Sequence, residues 1–221
     1  MREWTVDGRA VTVYPAAASC RPIVYFNVFA DEGEGALRIL RERNCPDFTL
    51  VTVGRLDWEQ DLSPWKAPAA FSGGKGFGGG ADRFLKVLSE KVIPRAEAGG
   101  TFSWRGIAGY SLAGMFAIYA LYRTNLFSRA ASASGSLWFP GFRGYVLSQE
   151  LQGLPERVYL SLGEKEGRTK NPYWKTVGER TEEIAAFFRS QGIDTVLERN
   201  PGNHHRDTAE RSAAGIRWIL T

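Results

Sequence analysis

One serine, Ser111, lies inside a largely apolar stretch that runs from Arg105 to Leu121 (RGIAGYSLAGMFAIYAL). The residues before it have the pattern of a short buried strand, and the residues after it have the pattern of a buried helix. Small residues flank the serine at Gly109, Ala113 and Gly114. A sharp strand-to-helix turn needs small residues there, because larger side chains would collide with the neighbouring strand and helix. The stretch therefore predicts an exposed serine hydroxyl that could act as a nucleophile.

The same turn would supply an electrostatic contribution to catalysis. Ser111 would lie at a helix N-terminus, where the backbone N–H of Leu112 could donate to an oxyanion. One such donor contributes about 3 kcal/mol in the transition state. The alternative is a serine that only caps a buried helix. The motif alone does not decide, because the usual pattern has glycine where Ala113 stands.

The partners that a serine nucleophile requires are present in the expected order. A hydroxyl needs a base, and the base needs a third group to hold it. The only histidines, His204 and His205, follow the last predicted strand, and Glu164 and Glu166 follow the strand before it. The order serine, acid, histidine is that of α/β-hydrolases. The alternatives are a surface histidine pair and a solvated charged turn.

The elements that must position these residues alternate between strand and helix. Thr5 to Tyr14 reads as a hairpin with a turn at Asp7-Gly8. Further strands are predicted at Pro22–Phe29, Phe48–Val53, Ile107–Tyr110, Arg129–Ser134, Arg157–Leu162 and Thr195–Glu198. Helices are predicted at Ala36–Arg43, at Asp82–Ile93 with Pro94 as its end, at Leu112–Tyr122, from Val177 to Gly192 and at Ala209–Leu220. This alternation predicts a mostly parallel sheet with helices on both faces.

The composition excludes several classes of protein. Of the 221 residues 43% are hydrophobic, enough for one core, so we expect a single domain over residues 1–221. The net charge of +4 comes from basic residues scattered among acidic ones, so no nucleic-acid partner is expected. Neither a bilayer-spanning stretch nor a secretory signal is evident, so we expect no membrane partner. We expect a cytoplasmic location, with Cys20 and Cys45 as reduced thiols.

Two sequence patterns could indicate a cofactor or a metal site, but the residues around each pattern do not support that interpretation. Gly74, Gly76 and Gly79 have the spacing of a dinucleotide fingerprint, but they do not follow a strand directly. The adjacent histidines lack further ligands at suitable spacing for zinc. We therefore expect no cofactor and no metal.

A long segment without an obvious helix or strand, Gly54 to Gly80, contains Trp58 and Trp65. Segments of this length inside a domain are usually functional or disordered, and the tryptophans argue against disorder. We expect Trp58, Trp65, Trp138 and Tyr110 to line the substrate pocket. Ordinary loop packing of the tryptophans is the alternative.

Four stretches together resemble a known family: GYSLAGMFAIYAL, SASGSLWF, LSLGEKEGRTKNP and NPGNHHRD. They resemble the esterase D-like branch of the α/β-hydrolases, which includes enterochelin and siderophore esterases. The resemblance extends over most of the chain from Pro22 onward. It implies an α/β-hydrolase fold. The chain shows no extra helical segment that could form a cap and has little length left for one, so we expect no large cap domain.

The resemblance also implies individual roles. Ser111 corresponds to the nucleophile and His204 to the general base, because the family's histidine directly follows the glycine-rich turn. The family's acid lies three residues after the strand-ending glycine, which indicates Glu166, with Glu164 as the second candidate. The second oxyanion donor would be the backbone amide of Phe29, although the family's usual His-Gly or Asp-Gly corner is missing there.

These roles predict a serine hydrolase that cleaves a small-molecule carboxylic ester through an acyl-enzyme. An acyltransferase that uses the same site is one alternative, and a non-catalytic ligand-binding protein is another. The natural ester and the oligomeric state are left open.

Overall fold

A computed structural model describes residues 1–30, 32–70 and 73–221 of the chain. Its strands are β1 (Arg2–Val6), β2 (Arg9–Tyr14), β3 (Arg21–Asn27), β4 (Thr49–Gly54), β5 (Lys66–Ala67), β6 (Phe77–Gly78), β7 (Phe102–Tyr110), β8 (Arg129–Ala133), β9 (Arg157–Gly163) and β10 (Asp194–Asn200). Its α-helices are α1 (Glu32–Glu42), α2 (Trp58–Asp61), α3 (Ala81–Val87), α4 (Ile93–Ala96), α5 (Leu112–Arg123), α6 (Phe142–Ser148), α7 (Val177–Ser190) and α8 (Thr208–Leu220).

Eight of these strands form one sheet in the order β1-β2-β4-β3-β7-β8-β9-β10. The hairpin of β1 and β2 is antiparallel, and β2 pairs antiparallel with β4, whereas every other neighbouring pair is parallel. Parallel pairing brings the carboxyl ends of β3, β7, β8, β9 and β10 to one edge, where α/β proteins bind ligands. The mostly parallel sheet predicted from the alternating pattern is confirmed.

Helices cover both faces of this sheet. Successive side chains of β3 alternate between the two faces, so Tyr25 packs in one apolar cluster and Val24 and Phe26 pack in the other. The first cluster contains the apolar side chains of α3, α5 and α7, and the second contains those of α1 and α8. Helix α5 is buried from Leu112 to Tyr122, in agreement with its uniformly apolar sequence.

The helix predicted at Asp82–Ile93 continues beyond Pro94, so the prediction that this proline ends it is wrong. A π-helical segment, Leu88–Val92, follows α3 and leads into α4. Pro94 therefore lies in the first turn of α4. Proline has no N–H to donate to the preceding turn and its ring needs extra room there, and the wider π-helical turn just before Pro94 lets the helix continue past it.

The segment from Gly54 to Gly80 contains regular structure that the sequence patterns did not reveal. Helix α2 begins at Trp58, and β5 pairs antiparallel with β6. Residues 71 and 72 of this segment lie outside the described residues. No helix in the described part of the chain is long and apolar enough to cross a membrane.

Candidate active site

Ser111 has the backbone geometry of a strained corner. Its φ and ψ are 57° and −122°, a combination that residues with a Cβ adopt rarely. Three backbone hydrogen bonds hold it: its N–H donates to the carbonyl of Ala133 (3.1 Å), and its carbonyl accepts from the N–H groups of Ser136 (3.0 Å) and Met115 (3.0 Å). Helix α5 starts at the next residue, so the serine lies at the junction of β7 and α5.

Close packing explains the small residues on either side. A Cβ on Gly109 would lie 2.3 Å from the carbonyl carbon of Ala113 and 2.6 Å from its Cβ. Because Gly109 has no side chain, alanine fits at the position where the usual pattern has glycine. On the other side of the helix, a Cβ on Gly114 would lie 2.9 Å from the hydroxyl oxygen of Ser132 in β8.

The structure brings three predicted side chains into one hydrogen-bonded line. His204 Nε2 lies 3.0 Å from Ser111 Oγ, and His204 Nδ1 lies 2.8 Å from Glu166 Oε2. The histidine side chain is 30% exposed, whereas that of Glu166 is only 3% exposed. The imidazole therefore faces both the buried acid and the open cavity.

Glu166, and not Glu164, reaches the histidine because hydrogen bonds fix the loop after β9 against the loop after β10. Glu164 is exposed and its N–H donates to the Asn200 carbonyl (2.9 Å) at the end of β10. The N–H of Lys165 donates to the carbonyl of Gly202 (3.0 Å) in the loop that carries the histidine. The two loops therefore run side by side, and Glu166 turns back toward the sheet.

The carboxyl group of Glu166 is held in its charged form. Burial disfavours the carboxylate, but the hydrogen bond from His204, the positive charge that this imidazole carries when protonated, the Gly163 amide and the Ser134 hydroxyl together lower the Glu166 pKa below its ordinary value. The Gly163 N–H donates to Glu166 Oε1 (2.7 Å). An ionised acceptor at Nδ1 keeps the proton on that nitrogen and leaves Nε2 free to accept the serine proton.

Arg211 of α8 is a site residue that the sequence patterns did not identify. Its side chain is 2% exposed, and Nη1 donates to Glu166 Oε1 (3.1 Å) and to Ser134 Oγ (3.0 Å), while Nη2 donates to the Pro201 carbonyl (2.9 Å). The guanidinium thus links the acid to the loop before the histidine. A signal was present, because Arg211 shares the buried face of the helix with Gly215 and Ile219, at spacings of four residues.

Replacing Arg211 with methionine is expected to lower the free energy of unfolding at neutral pH by about 3–5 kcal/mol, because it leaves a buried carboxylate without its cation. Urea denaturation would measure the loss. Arg206→Met is the matched control, because Arg206 is exposed and pairs only with the adjacent Asp207 among the described ion pairs; a change within about 0.5 kcal/mol is expected there. Equal losses in the two variants would contradict the buried role.

Two aromatic neighbours support the histidine. The hydroxyl of Tyr110 donates to the backbone carbonyl of His204 (2.6 Å), and the two rings lie 5.4 Å apart. Tyr110, which the sequence analysis expected at the substrate pocket, is almost fully buried and lies at the lining of the cavity at Ser111. The His205 ring stands edge-on to that of His204 at 5.3 Å.

Two cavities open at Ser111. The larger, of about 1110 Å³, extends toward α1, and the smaller, of about 500 Å³, extends toward α7. Trp58, Ser111 and both histidines line both cavities. The smaller one also has aromatic walls, formed by Phe77, Trp138 and Trp174. Of these three, only Trp138 was expected from the sequence.

Trp65 lies elsewhere. Its indole N–H donates to the carbonyl of Pro140 (2.9 Å), and its ring packs against Phe139 and Tyr145. Among the described residues that line the two cavities, Trp65 is absent. It is half-buried and packs against the apolar core, so the alternative of ordinary loop packing applies to this tryptophan.

The two N–H groups expected to stabilise the oxyanion differ in whether a hydrogen-bond acceptor already occupies them. Leu112 is the first residue of α5, so its N–H has no acceptor within the helix. The N–H of Phe29 points to the carboxyl group of Glu32, with 3.4 Å from Phe29 N to Oε2. The Phe29 side chain is 65% exposed and stands edge-on to Trp58, with ring centroids 5.4 Å apart.

A mostly parallel sheet with a strained serine between a strand and a buried helix defines the α/β-hydrolase fold. The chain belongs to the esterase family, because the family model "Esterase", described as "Putative esterase", matches residues 26–209. The resemblance stated from the sequence is therefore confirmed, and the chain is an esterase-type enzyme.

Individual proteins are also similar to this chain. The uncharacterized protein YbbA of Bacillus subtilis is 21% identical and covers 90% of this chain and 85% of its own. The siderophore hydrolase EstA of Aspergillus nidulans is 20% identical, with a TM-score of 0.75 over 99% of this chain and 93% of its own. An IroE-like serine hydrolase of Shewanella oneidensis is 19% identical, with a TM-score of 0.79 over 96% of this chain and 75% of its own. The two solved structures show that the fold is shared.

Proposed function

We propose that this enzyme is a serine carboxylic ester hydrolase that acts through an acyl-enzyme on Ser111. His204 is its general base and Glu166 its acid. The observation that carries the proposal is the unbroken line of hydrogen bonds from Ser111 Oγ through the imidazole to a buried carboxylate.

In the first half of the reaction, Ser111 Oγ attacks the ester carbonyl carbon and its proton passes to His204 Nε2. The carbonyl oxygen becomes an oxyanion, which the amides of Leu112 and Phe29 stabilise. The bond from carbon to the alcohol oxygen then breaks, and the imidazolium returns its proton to the departing alcohol. Glu166 stabilises the imidazolium while it exists.

In the second half, a water molecule takes the place of the alcohol. The water oxygen attacks the acyl carbon while His204 accepts one proton from the water. The same two amides stabilise the new oxyanion. The acyl–serine bond breaks, Ser111 regains its proton, and the carboxylic acid leaves. An alcohol in place of water would give acyl transfer at the same site.

The cavities favour small esters in which one part is aromatic. The smaller cavity combines aromatic walls with Lys165 and Arg168 at its lining, which suits a flat group with acidic substituents. A similar structure is titled a siderophore hydrolase, so siderophore esters belong in a substrate screen beside simple acyl esters.

The test is turnover of p-nitrophenyl acetate and labelling by a fluorophosphonate probe. His204→Ala is expected to lose both, because the serine then has no base. His205→Ala is the comparison variant: its ring packs on that of His204 and lines the cavities, so turnover is expected to fall only partly, and labelling is expected to persist because the contact between His204 and Ser111 is kept. Absence of turnover and labelling in the folded wild-type enzyme would refute the proposal and would favour a ligand-binding role.

A further inference from the structure

Glu32 is a half-buried acid beside the site, and the proposed mechanism does not use it. It opens helix α1 and lines the larger cavity together with Ser111 and His204. Its Oε2 accepts from the backbone N–H of Phe29 (3.4 Å), and its Oε1 accepts from the Ser212 hydroxyl (3.1 Å). This carboxyl group therefore already accepts a hydrogen bond from one of the two amides that are proposed to stabilise the oxyanion.

The surrounding backbone holds the carboxyl group against that amide. The N–H of Glu32 donates in return to the carbonyl of Phe29 (3.3 Å), and Ala30 between them has a positive φ of 50°. Positive φ is unfavourable for alanine, so the neighbouring contacts must maintain this turn. Gly33 packs so tightly on β4 that a Cβ would lie 2.6 Å from Thr52 Cγ2. The start of α1 has little room to shift.

We propose that Glu32 is a positioning residue for ester cleavage, because its carboxyl group competes with the substrate oxygen for the Phe29 amide and must be uncharged for that amide to serve the oxyanion. This inference rests on the proposed function of Ser111. An oxyanion held by the amide would lie about 3 Å from its nitrogen, close to the place that Glu32 Oε2 occupies at 3.4 Å. Two negative oxygens cannot share one N–H without strong repulsion.

The charge of Glu32 changes in the neutral range. Burial raises its pKa to about 7, against the opposing effect of the hydrogen bonds from Phe29 and Ser212. The packed face of α8 contributes the Ser212 hydroxyl. The titratable side chains that line the same cavity are Tyr14 from β2, Glu34, Arg38, Arg41 and Glu42 from α1, Tyr110 from β7, and His204 and His205 from the loop before α8. Burial, not a neighbouring charge, is the leading cause of the raised pKa.

The test is the pH profile of kcat/KM for p-nitrophenyl acetate from about pH 5 to about pH 9. In the wild-type enzyme we expect a descending limb with a midpoint near the Glu32 pKa of about 7. Above the midpoint, kcat/KM is expected to fall by up to about tenfold for each pH unit, because one ionisation removes the active form. Glu32→Gln cannot ionise, so its profile is expected to lose this limb.

Glu34→Gln is the matched control. Glu34 is an exposed acid in the same first turn of α1, so its replacement is expected to keep the descending limb. Ser212→Ala gives a second, independent variant in case Glu32→Gln does not fold. Loss of the hydroxyl that donates to the carboxylate disfavours the charged form, so the limb is expected to move to higher pH.

Distinct outcomes separate the two proposals. A wild-type profile without a descending limb, a limb that persists in Glu32→Gln, or a limb unmoved by Ser212→Ala would overturn the role of Glu32 while Ser111-dependent turnover continued. Absence of turnover at every pH would instead overturn the esterase mechanism itself. A merely structural cap would change stability and leave the pH profile in place.

Discussion

Ser111→Ala is expected to reduce kcat for p-nitrophenyl acetate by about 10⁶-fold, the scale at which removal of a serine nucleophile leaves only binding and oxyanion stabilisation. The reason is that the imidazole of His204 then has no hydroxyl to activate at 3.0 Å. Steady-state kinetics would measure the loss. Circular dichroism and urea denaturation would confirm that the variant folds.

A neighbouring hydroxyl provides the matched control for this experiment. Ser136 Oγ lies 3.3 Å from Ser111 Oγ, so both serines are close to the same cavity. His204 Nε2 contacts Ser111, and the strained backbone presents that side chain alone at the corner. Ser136→Ala is therefore expected to keep fluorophosphonate labelling, with the adduct on Ser111 by peptide mass spectrometry. Labelling that survives in Ser111→Ala and disappears in Ser136→Ala would reverse the assignment.

Glu166→Gln is expected to lower kcat by about 10⁴-fold with little change in overall structure. The amide can donate to the histidine, which favours the tautomer with the proton on Nε2 and so removes the base facing Ser111. It also leaves the imidazolium without its negative partner. Glu164→Gln is the control, since this side chain is exposed and is not among the described residues that line the two cavities, and near-wild-type kinetics are expected. A larger loss in Glu164→Gln than in Glu166→Gln would show that the acid is wrongly assigned.

The same variant has a consequence for stability. Since folding lowers the pKa of Glu166, the carboxylate contributes stability that is present above its ordinary pKa and is lost as the pH falls through the folded pKa. Glu166→Gln is therefore expected to be less stable than the wild type at neutral pH, with a difference that shrinks in acid. Urea denaturation at several pH values would measure it, and a constant difference would contradict this origin.

The local patterns of the chain determined the elements and the order of the reactive groups. The alternation of strand-like and helix-like apolar patterns predicted the parallel sheet, because both the 3.6-residue and the two-residue periods are properties of neighbouring residues. The glycine and alanine around Ser111 predicted the sharp strand-to-helix turn. The rule that carboxyl ends of parallel strands share an edge placed Ser111, the glutamates and the histidines together. The resemblance then added the choice of His204 and Glu166.

Only the tertiary structure decided which side chains meet. Arg211 was not anticipated because its partners, such as Glu166 and Ser134, come from the loops that follow β9 and β8, far away in sequence, and no local period encodes that contact. The contact of Glu32 with the Phe29 amide depends on the strained turn and on how α1 packs against β4 and α8. Trp65 faces the core for the same kind of reason, since the direction of a loop side chain is set by what packs around it. Sequence periodicity specifies which face of an element is buried, whereas the partners on that face follow from strand register and helix packing.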